Sequence, residues 1–504
     1  MFNECVFSYF ITDNSTAKDL SFSELPVKRS FGDYTVFTDT DTPFSYCCNG
    51  ETECAIFGLA VNVVSGESNG LTDDIVKNCK SIQNAVEYEI NLGGKYILLF
   101  KHGGDYYVQG DASCSIPVFY NTEDAFVCSS NFQYIVNLKK YHADNEYVKI
   151  RNSGDIFQAM PYDITPYRQI KQLIPNHYLS VNKRASVRFA NFLEKQKEIS
   201  VDEATQIVHP MIEKLTSFYL KKYKIYCPIT SGKDSRVVLS FLLNSKEKFC
   251  CYTIRHPEHN DMTQDITVPI ELCKKIGIEH KLVEDIVVSE SVKNRADNLL
   301  GVNNYSSRTL RIAQTIKEYF GDGAIINGDI IGQVGKCSLH RDIPDAFATA
   351  SYFRCKLHNY SIEAKQQLKL WLDEIKSSGE KINVFDLFSI ENRMGRWAAQ
   401  INLLYNSIGQ ISLNVFNSRS IVYTLTAVSR TERKKAYVHI SLINKTEPKL
   451  LMVPFEKDLS AFVRVSKING ITYLLASYLK YFAEKILFLY KKKGVIREEG
   501  TNSK

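Results

Sequence analysis

The stretch Ile225-Tyr-Cys-Pro-Ile-Thr-Ser-Gly-Lys-Asp-Ser-Arg-Val-Val-Leu239 constrains the fold more than any other part of the chain. An apolar strand enters a turn of small and polar residues and passes directly into an apolar helix. Such a unit belongs to right-handed βαβ crossovers, whose strands lie parallel and whose helices cover the sheet. The surrounding pattern repeats it: helical spacing over 201–223, 236–244 and 266–276 alternates with strand-like runs at 224–229, 249–254 and 324–326. We expect an α/β domain on a parallel sheet, with helical additions beyond about residue 342, among them 384–405.

The turn itself carries chemistry. Backbone N–H groups at a helix N-terminus, favoured by the helix dipole, attract a phosphate group. Gly232 lets the backbone come close to an anion. Thr230, Ser231 and Ser235 add hydroxyls, Lys233 a positive charge and Asp234 a carboxylate suited to magnesium. A Walker A loop is excluded, because it needs Gly at Cys227 and Ser or Thr at Asp234. The same residues also suit an unliganded strand-to-helix turn capped by Asp or Ser. The loop alone leaves both open.

The first 190 residues read differently. Short apolar runs at 95–100 and 106–109 flank Lys-His-Gly-Gly-Asp, a hairpin pattern, and further strand-like runs fall at 118–120, 125–128 and 177–181. Residues 72–89 have helical spacing, so an α+β domain with antiparallel sheets is expected. The polar stretch 182–203 reads as a crossing between domains. A chain of 504 residues exceeds one ordinary core. We divide it into 1–190, 201–460 and a basic amphipathic tail at 461–504. In that tail 471–490 carries Lys480, Glu484 and Lys485 and runs into Lys491, Lys492 and Lys493. A helix packed on the domain is expected, with docking on a membrane surface as the alternative.

Bulk properties exclude several classes. Net charge is +6 over 62 basic and 56 acidic residues, which leaves no domain-wide footprint for nucleic acid. No apolar run reaches membrane-spanning length, and the N-terminus lacks a secretory pattern, so a cytoplasmic protein is expected. Thirteen cysteines, an odd number without a CxxC pair, read as reduced and mostly buried thiols.

Three segments in order, Thr230-Ser-Gly-Lys-Asp-Ser235, His259-Asn-Asp-Met-Thr-Gln-Asp265 with the helix to Gly277 and His280, and Asn327-Gly-Asp329 after a strand, resemble the asparagine-synthetase family. There the first is the SGGxDS loop, the second lies after the next strand, and the third opens the SG(D/E)GxDE segment. Gly110-Asp-Ala-Ser-Cys-Ser-Ile-Pro-Val-Phe-Tyr120 is similar to the family's RDxxGxxPLYY strands, and Thr165-Pro-Tyr-Arg-Gln-Ile-Lys-Gln-Leu-Ile-Pro-Asn-His177 to the segment closing its glutaminase domain. The resemblance covers most of residues 50–340.

It implies an α+β Ntn-hydrolase-like domain followed by an α/β adenine-nucleotide-hydrolase-like ATP-pyrophosphatase domain. It implies ATP and Mg2+, with the phosphates at Thr230, Ser231, Gly232, Lys233, Asp234 and Ser235, and further nucleotide contacts at Ile254, Asn327 and Gly328. Asp234 and Asp329 are the implied metal ligands, and Asp329 the implied catalytic residue. The implied reaction activates a small-molecule, peptide or glycan carboxylate by adenylation and passes the acyl group to an amine, or to ammonia from a separate donor. A homodimer is among the assemblies it allows.

The departures carry expectations of their own. The family's glutaminase uses an N-terminal Cys whose α-amine is the base; here residue 2 is Phe, and an internal Cys5 has no free α-amine. Gly110 replaces the Arg of the RD strand. The glutaminase half is therefore expected to be inactive and structural. Gly332 and Gln333 stand where the family has Asp-Glu, which removes a magnesium ligand, so that catalysis weakens or coordination moves to water or Asp329. A non-catalytic nucleotide-binding or scaffold relative is the competing reading. A tRNA-modifying pyrophosphatase would need a basic RNA surface, and the glutaminase-like half argues against it. The segment Phe385-Asp-Leu-Phe-Ser-Ile-Glu-Asn-Arg-Met-Gly-Arg-Trp397 resembles a helix of family members that modify polysaccharides and peptides, or places Arg393, Arg396 and Trp397 in an intramolecular stack. Residues 430–435, with Lys434 and Lys435, supply a cation to the adenylate or form a solvated charge run.

Overall fold

The computed structural model describes residues 6–153, 160–189, 197–243, 249–257, 259–300, 306–337, 339–455 and 469–501, the last helix with side chains to residue 490. The first half holds two six-stranded antiparallel sheets. One runs Ile170–Gln172, Phe119–Asn121, Val127–Ser129, Tyr9–Asp13, Tyr34–Thr38, Val27–Phe31; the other runs Ala185–Arg188, His177–Ser180, Asp105–Gly110, Leu92–His102, Thr52–Asn62, Phe44–Asn49.

Side-chain alternation along the strands builds the layers. In Thr52–Asn62, Ala55, Phe57 and Leu59 join Tyr9, Ile11 and Val36 of the other sheet in a shared core. Cys54, Ile56 and Ala60 point the opposite way, onto Ile75, Val76 and Ala85 of two helices. Phe10 and Phe37 leave the far side of the first sheet to meet Phe132 and Ile135. The order is helix, sheet, sheet, helix, as the α+β expectation requires.

Two local readings change. The helical spacing over 72–89 is two helices, Leu71–Asn78 and Ile82–Glu89. The break falls where Ser81 caps the second by accepting from the Asn84 N–H at 3.2 Å. The polar stretch after residue 182 is not only a crossing: Ala185–Arg188 is an edge strand paired with His177–Ser180. Edge strands tolerate polar residues because one side of the ladder faces solvent.

In the second half the five strands are all parallel, in the order His280–Glu284, Phe249–Arg255, Ile225–Pro228, Ala324–Asn327, Ile411–Asn414. The chain starts at the centre, moves out one way, then returns to build the other side. The order therefore reverses between Ile225–Pro228 and Ala324–Asn327. The long apolar pattern at 384–405 is continuous helix whose middle, Phe388–Ala398, is wound as a π-helix between Val384–Leu387 and Ala399–Asn406. All twelve described cysteines are free thiols, mostly buried. Among the described residues no helix is long and apolar enough to cross a membrane.

The halves share one continuous apolar cluster, from Val6 through Val208 and Ile212 to Val453. Buried charges cross the same seam. Arg419, 1% exposed, pairs with fully buried Glu89 and donates to the carbonyls of Gly110 at 2.9 Å and Asp111 at 3.2 Å. Tyr96 and Gln109 also donate to Glu89. In the other direction Arg188 donates to both oxygens of buried Glu391 at 2.6 and 2.8 Å, which also accepts from Trp371 Nε1 at 2.7 Å and Asn176 Nδ2 at 2.8 Å.

Two outcomes follow for stability. Arg419→Met strands a buried carboxylate and is expected to cost about 3–5 kcal/mol in denaturant unfolding. Glu89→Leu on top of it should recover a large part, because no lone charge then stays buried. The second outcome concerns Glu374. Burial pushes its carboxyl up, but the His177 hydrogen bond and charge, with Arg188, outweigh burial and hold it at about 2, below the ordinary 4.5. A depressed folded-state pKa contributes stability that is full above the unfolded value and lost as pH falls through the folded one. The stability gap between wild type and Glu374→Gln should be about 2–3 kcal/mol near neutrality and close between roughly pH 4.5 and 2. Unfolding titrations across that range read it directly.

Candidate functional site

Where the strand order of a parallel sheet reverses, the loops at the C-terminal strand ends splay apart and leave a crevice. Residues 230–235 follow Ile225–Pro228, and Gly328 and Asp329 follow Ala324–Asn327, so both turns open into it. They touch. A Cβ on Gly328 would lie 3.0 Å from the Asp234 carbonyl oxygen and 3.1 Å from its carbon, so a side chain there would force the turns apart.

The first turn is held from within. Ser231, fully buried, donates its N–H at 2.9 Å and its hydroxyl at 2.6 Å to Asp265 Oδ1, at the start of the helix Gln264–Ile276. The Gly232 N–H donates to Thr230 Oγ1 at 3.2 Å, and the Thr230 and Ser235 hydroxyls lie 3.2 Å apart. Gly232 caps the helix Lys233–Leu242, whose first turn faces the crevice. The Lys233 ammonium lies 4.5 Å from the Phe455 ring centre.

Asp234, 34% exposed at its side chain, has both oxygens paired. Lys336 Nζ donates to both its oxygens, at 3.0 and 2.9 Å, and His439 Nε2 to Oδ1 at 2.8 Å. Burial pushes this carboxyl up, yet the His439 hydrogen bond and the Lys336 charge hold it well below the usual carboxylate range. Burial pushes the His439 imidazolium down against the pull of Asp234, which favours a neutral ring donating from Nε2. Its Nδ1 is buried with no hydrogen-bond partner.

Asp329 is exposed at the mouth of the concavity, its backbone N–H on Asn327 Oδ1 at 3.3 Å. Desolvation in the concavity and the Asp234 charge push its carboxyl to about 6, against the pull of Arg393. Asn327 is fixed by Ser412 at 2.9 Å and Asn414 at 2.8 Å on the neighbouring strand. Past Asp329 the crevice continues into a narrow pocket of about 30 Å3. Asn327, Asp329, Arg393 and Trp397 line it from the second half, Lys95 and Ser113 from the first. Arg393 stacks 4.4 Å above the Trp397 ring. Lys95 is 1% exposed and donates to Asn402 at 3.2 Å, Asn406 at 3.1 Å and the Ser412 carbonyl at 3.3 Å; burial pushes its ammonium down to about 7, partly offset by Asp111.

The two turns bring together Thr230, Gly232, Lys233, Asp234, Ser235, Asn327, Gly328 and Asp329, while Ser231 is buried beneath them. Ile254 places its side chain in an apolar cluster with Tyr226, Tyr252 and Ile325 instead. The charge run at 430–435 is not a solvated face. Arg433, 1% exposed, grips Asp386 at 2.9 and 2.6 Å, Lys434 pairs with Asp342, and Arg430 lies 4.6 Å from the Phe385 ring centre. Arg396 is structural, donating to the carbonyls of Met160 at 3.0 Å and Ile164 at 2.6 Å. Phe2 and Cys5 lie outside the described residues.

Lys336, His439 and Lys95 belong to no motif, and nothing in their sequence neighbourhood marks them; folding alone brings them to the site. Asp265 ends a segment already singled out, but its role as the anchor of Ser231 was not visible. Magnesium does not fit the donors as they stand. The Asp234 carboxylate is taken by an ammonium and an imidazole, Gly332 offers no side chain, and among the described residues no three His, Cys, Asp or Glu groups gather to hold an ion.

No family model matches the chain, and none of the curated proteins matches it. Among solved structures it is similar to a glutamine-dependent NAD+ synthetase from Acinetobacter baumannii in complex with ADP, at 9% identity over 38% of this chain and 43% of that one, with a TM-score of 0.20. The chain thus spans less than half of that synthetase's length. An NMN synthetase from Francisella tularensis matches at 13% identity, over 41% of this chain and 94% of that one, with a TM-score of 0.18. Glutamine phosphoribosylpyrophosphate amidotransferase from B. subtilis, complexed with ADP and GMP, matches at 10% identity, over 64% and 76%, with a TM-score of 0.20. None of the three is an asparagine synthetase, and likenesses this distant assign no ligand or reaction to this chain.

The loop's internal anchor can be tested without any ligand. Asp265→Ala leaves the buried Ser231 N–H and hydroxyl unpaired and is expected to cost about 1–3 kcal/mol. Hydrogen exchange should show the Ser231 amide losing protection before the strand Ile225–Pro228 does.

Proposed function

We propose that the chain binds ATP with its phosphates over residues 230–235, activates a carboxylic acid by adenylation and transfers the acyl group to an amine. One observation carries this reading: the contact of Gly328 with Asp234 makes one crevice of the loop and the Asp329 carboxylate, and that crevice opens into a narrow pocket with Arg393 at its wall.

In this reading the acid lies across the mouth of the pocket, its carboxylate steadied by Arg393, which Trp397 holds by stacking. A carboxylate oxygen bonds to the α-phosphorus as the bond to the bridging oxygen breaks. The departing pyrophosphate keeps that electron pair and is stabilised by the N-terminal N–H groups of the helix Lys233–Leu242 and by Lys233. Amine attack on the acyl carbon then expels AMP. Asp329, with a carboxyl near 6, suits removal of the amine proton, since a base titrating near neutrality is present ionised and still takes a proton readily. With an inactive glutaminase half, the nitrogen comes from an amine on the substrate or from ammonia made elsewhere. A second reading, nucleotide binding without turnover, is favoured by the internal pairing of Asp234.

Pyrophosphate exchange into ATP across a panel of small-molecule, peptide and glycan acids tests the reaction. Exchange with at least one acid, and AMP rather than ADP as product, is expected. Asp329→Asn should keep ATP affinity and lower turnover by about 100-fold or more. ADP as product would overturn the adenylation mechanism, and ATP binding with no exchange across the panel would leave the non-catalytic reading.

A further inference from the structure

Asp234 is the carboxylate that the loop presents to the crevice, yet its charge is already met. Lys336 bridges both oxygens at 3.0 and 2.9 Å, in the fork geometry a bound cation would adopt, and His439 adds a third contact to Oδ1 at 2.8 Å. The space for this is made by Gly332. A Cβ there would lie 2.9 Å from Asp234 Oδ2, so any side chain would compete with the ammonium for that oxygen. Lys336 follows four residues later, just past the end of the helix Asp329–Val334, and reaches back into the space. The fully buried His439, on the helix Tyr437–Thr446, closes the inner side.

We propose that the Lys336 ammonium is a tethered cation that takes the place of a divalent ion at Asp234, so that the crevice binds a nucleoside triphosphate without requiring metal. Four observations agree. Both oxygens of the carboxylate are already paired. A divalent ion entering there would have to expel Lys336 and leave its ammonium beside a second positive charge. No group of three or more acidic, His or Cys side chains arranged to hold a metal ion is found among the described residues. The Lys336 side chain, 29% exposed beside an Asp234 that is 34% exposed, keeps access to solvent, so that it can face an incoming anion. A fixed ammonium supplies one positive charge and hydrogen-bond donors to phosphate oxygens without the dehydration that a magnesium ion demands.

The inference rests on the nucleotide reading, and the two fail separately. Calorimetry on the full chain compares ATP affinity in EDTA with that in magnesium. Wild type should bind equally well in both, and Lys336→Arg should behave like it. Lys336→Met should bind about tenfold more weakly in EDTA and regain affinity with magnesium. Without nucleotide, a Mn2+ titration followed by electron paramagnetic resonance should find no ion in wild type that Asp234→Asn removes. Wild-type ATP binding that collapses in EDTA, or Mn2+ bound by wild type and lost in Asp234→Asn, overturns the tethered cation. ATP that binds under neither condition removes the nucleotide reading, while the Mn2+ titration still decides whether Lys336 holds the metal position.

Discussion

The rest of the molecule depends on arginines carried across the seam between its halves. Arg419 reaches into the first half to meet Glu89, and Arg188 reaches into the second to meet Glu391. Each pair is sealed from water, and each carboxylate collects further donors from its own surroundings. A buried ion pair adds little net stability over apolar packing, but breaking one is costly, so such pairs select one docking of the halves over others. That selection matters because the pocket beside Asp329 has walls from both halves. Sliding the seam would remove Lys95 and Ser113 from it.

Glu391 links the seam to the site. It lies in the π-wound stretch Phe388–Ala398, which also carries Arg393 and Arg396. An α-helix would space these residues differently around its axis; the wider winding directs Glu391 to the seam while Arg393 lines the crevice. Gly395 adds to the same fit, since a Cβ there would fall 2.1 Å from Pro175 of the first half. The local helix geometry and the docking of the halves are therefore one constraint.

At the crevice the governing fact is charge balance. Asp234 is ionised because His439 and Lys336 make ionisation favourable, and desolvation together with that charge raises the carboxyl of Asp329. One carboxylate is spent on structure, and the other is left near the pH range where a proton can move. A loop of this composition can thus be wired inward as well as toward a ligand: Ser231 and Gly232, read as phosphate donors, give their N–H groups to Asp265 and Thr230.

Much of this architecture was legible from local chemistry. The run from Ile225 to Leu239 specified strand, turn and helix because its residues favour each state without help from afar, and the alternation of such units specified a parallel sheet. The hairpin around Gly103 and Gly104 and the loop hydroxyls could be read in the same way. What the sequence could not show were pairings between distant residues. The edge strand Ala185–Arg188 looked like a linker, since an edge can be polar, and the run at 430–435 looked solvated, since nothing near it in sequence predicts Asp386 or Asp342 as partners. Lys336 and His439 stand 102 and 205 residues from Asp234. The sequence by itself determined which residues could make a phosphate-binding turn, because backbone freedom and side-chain type are local properties. Only the tertiary structure decided that the turn's carboxylate is already neutralised, because charge compensation depends on distances across space that no local pattern encodes.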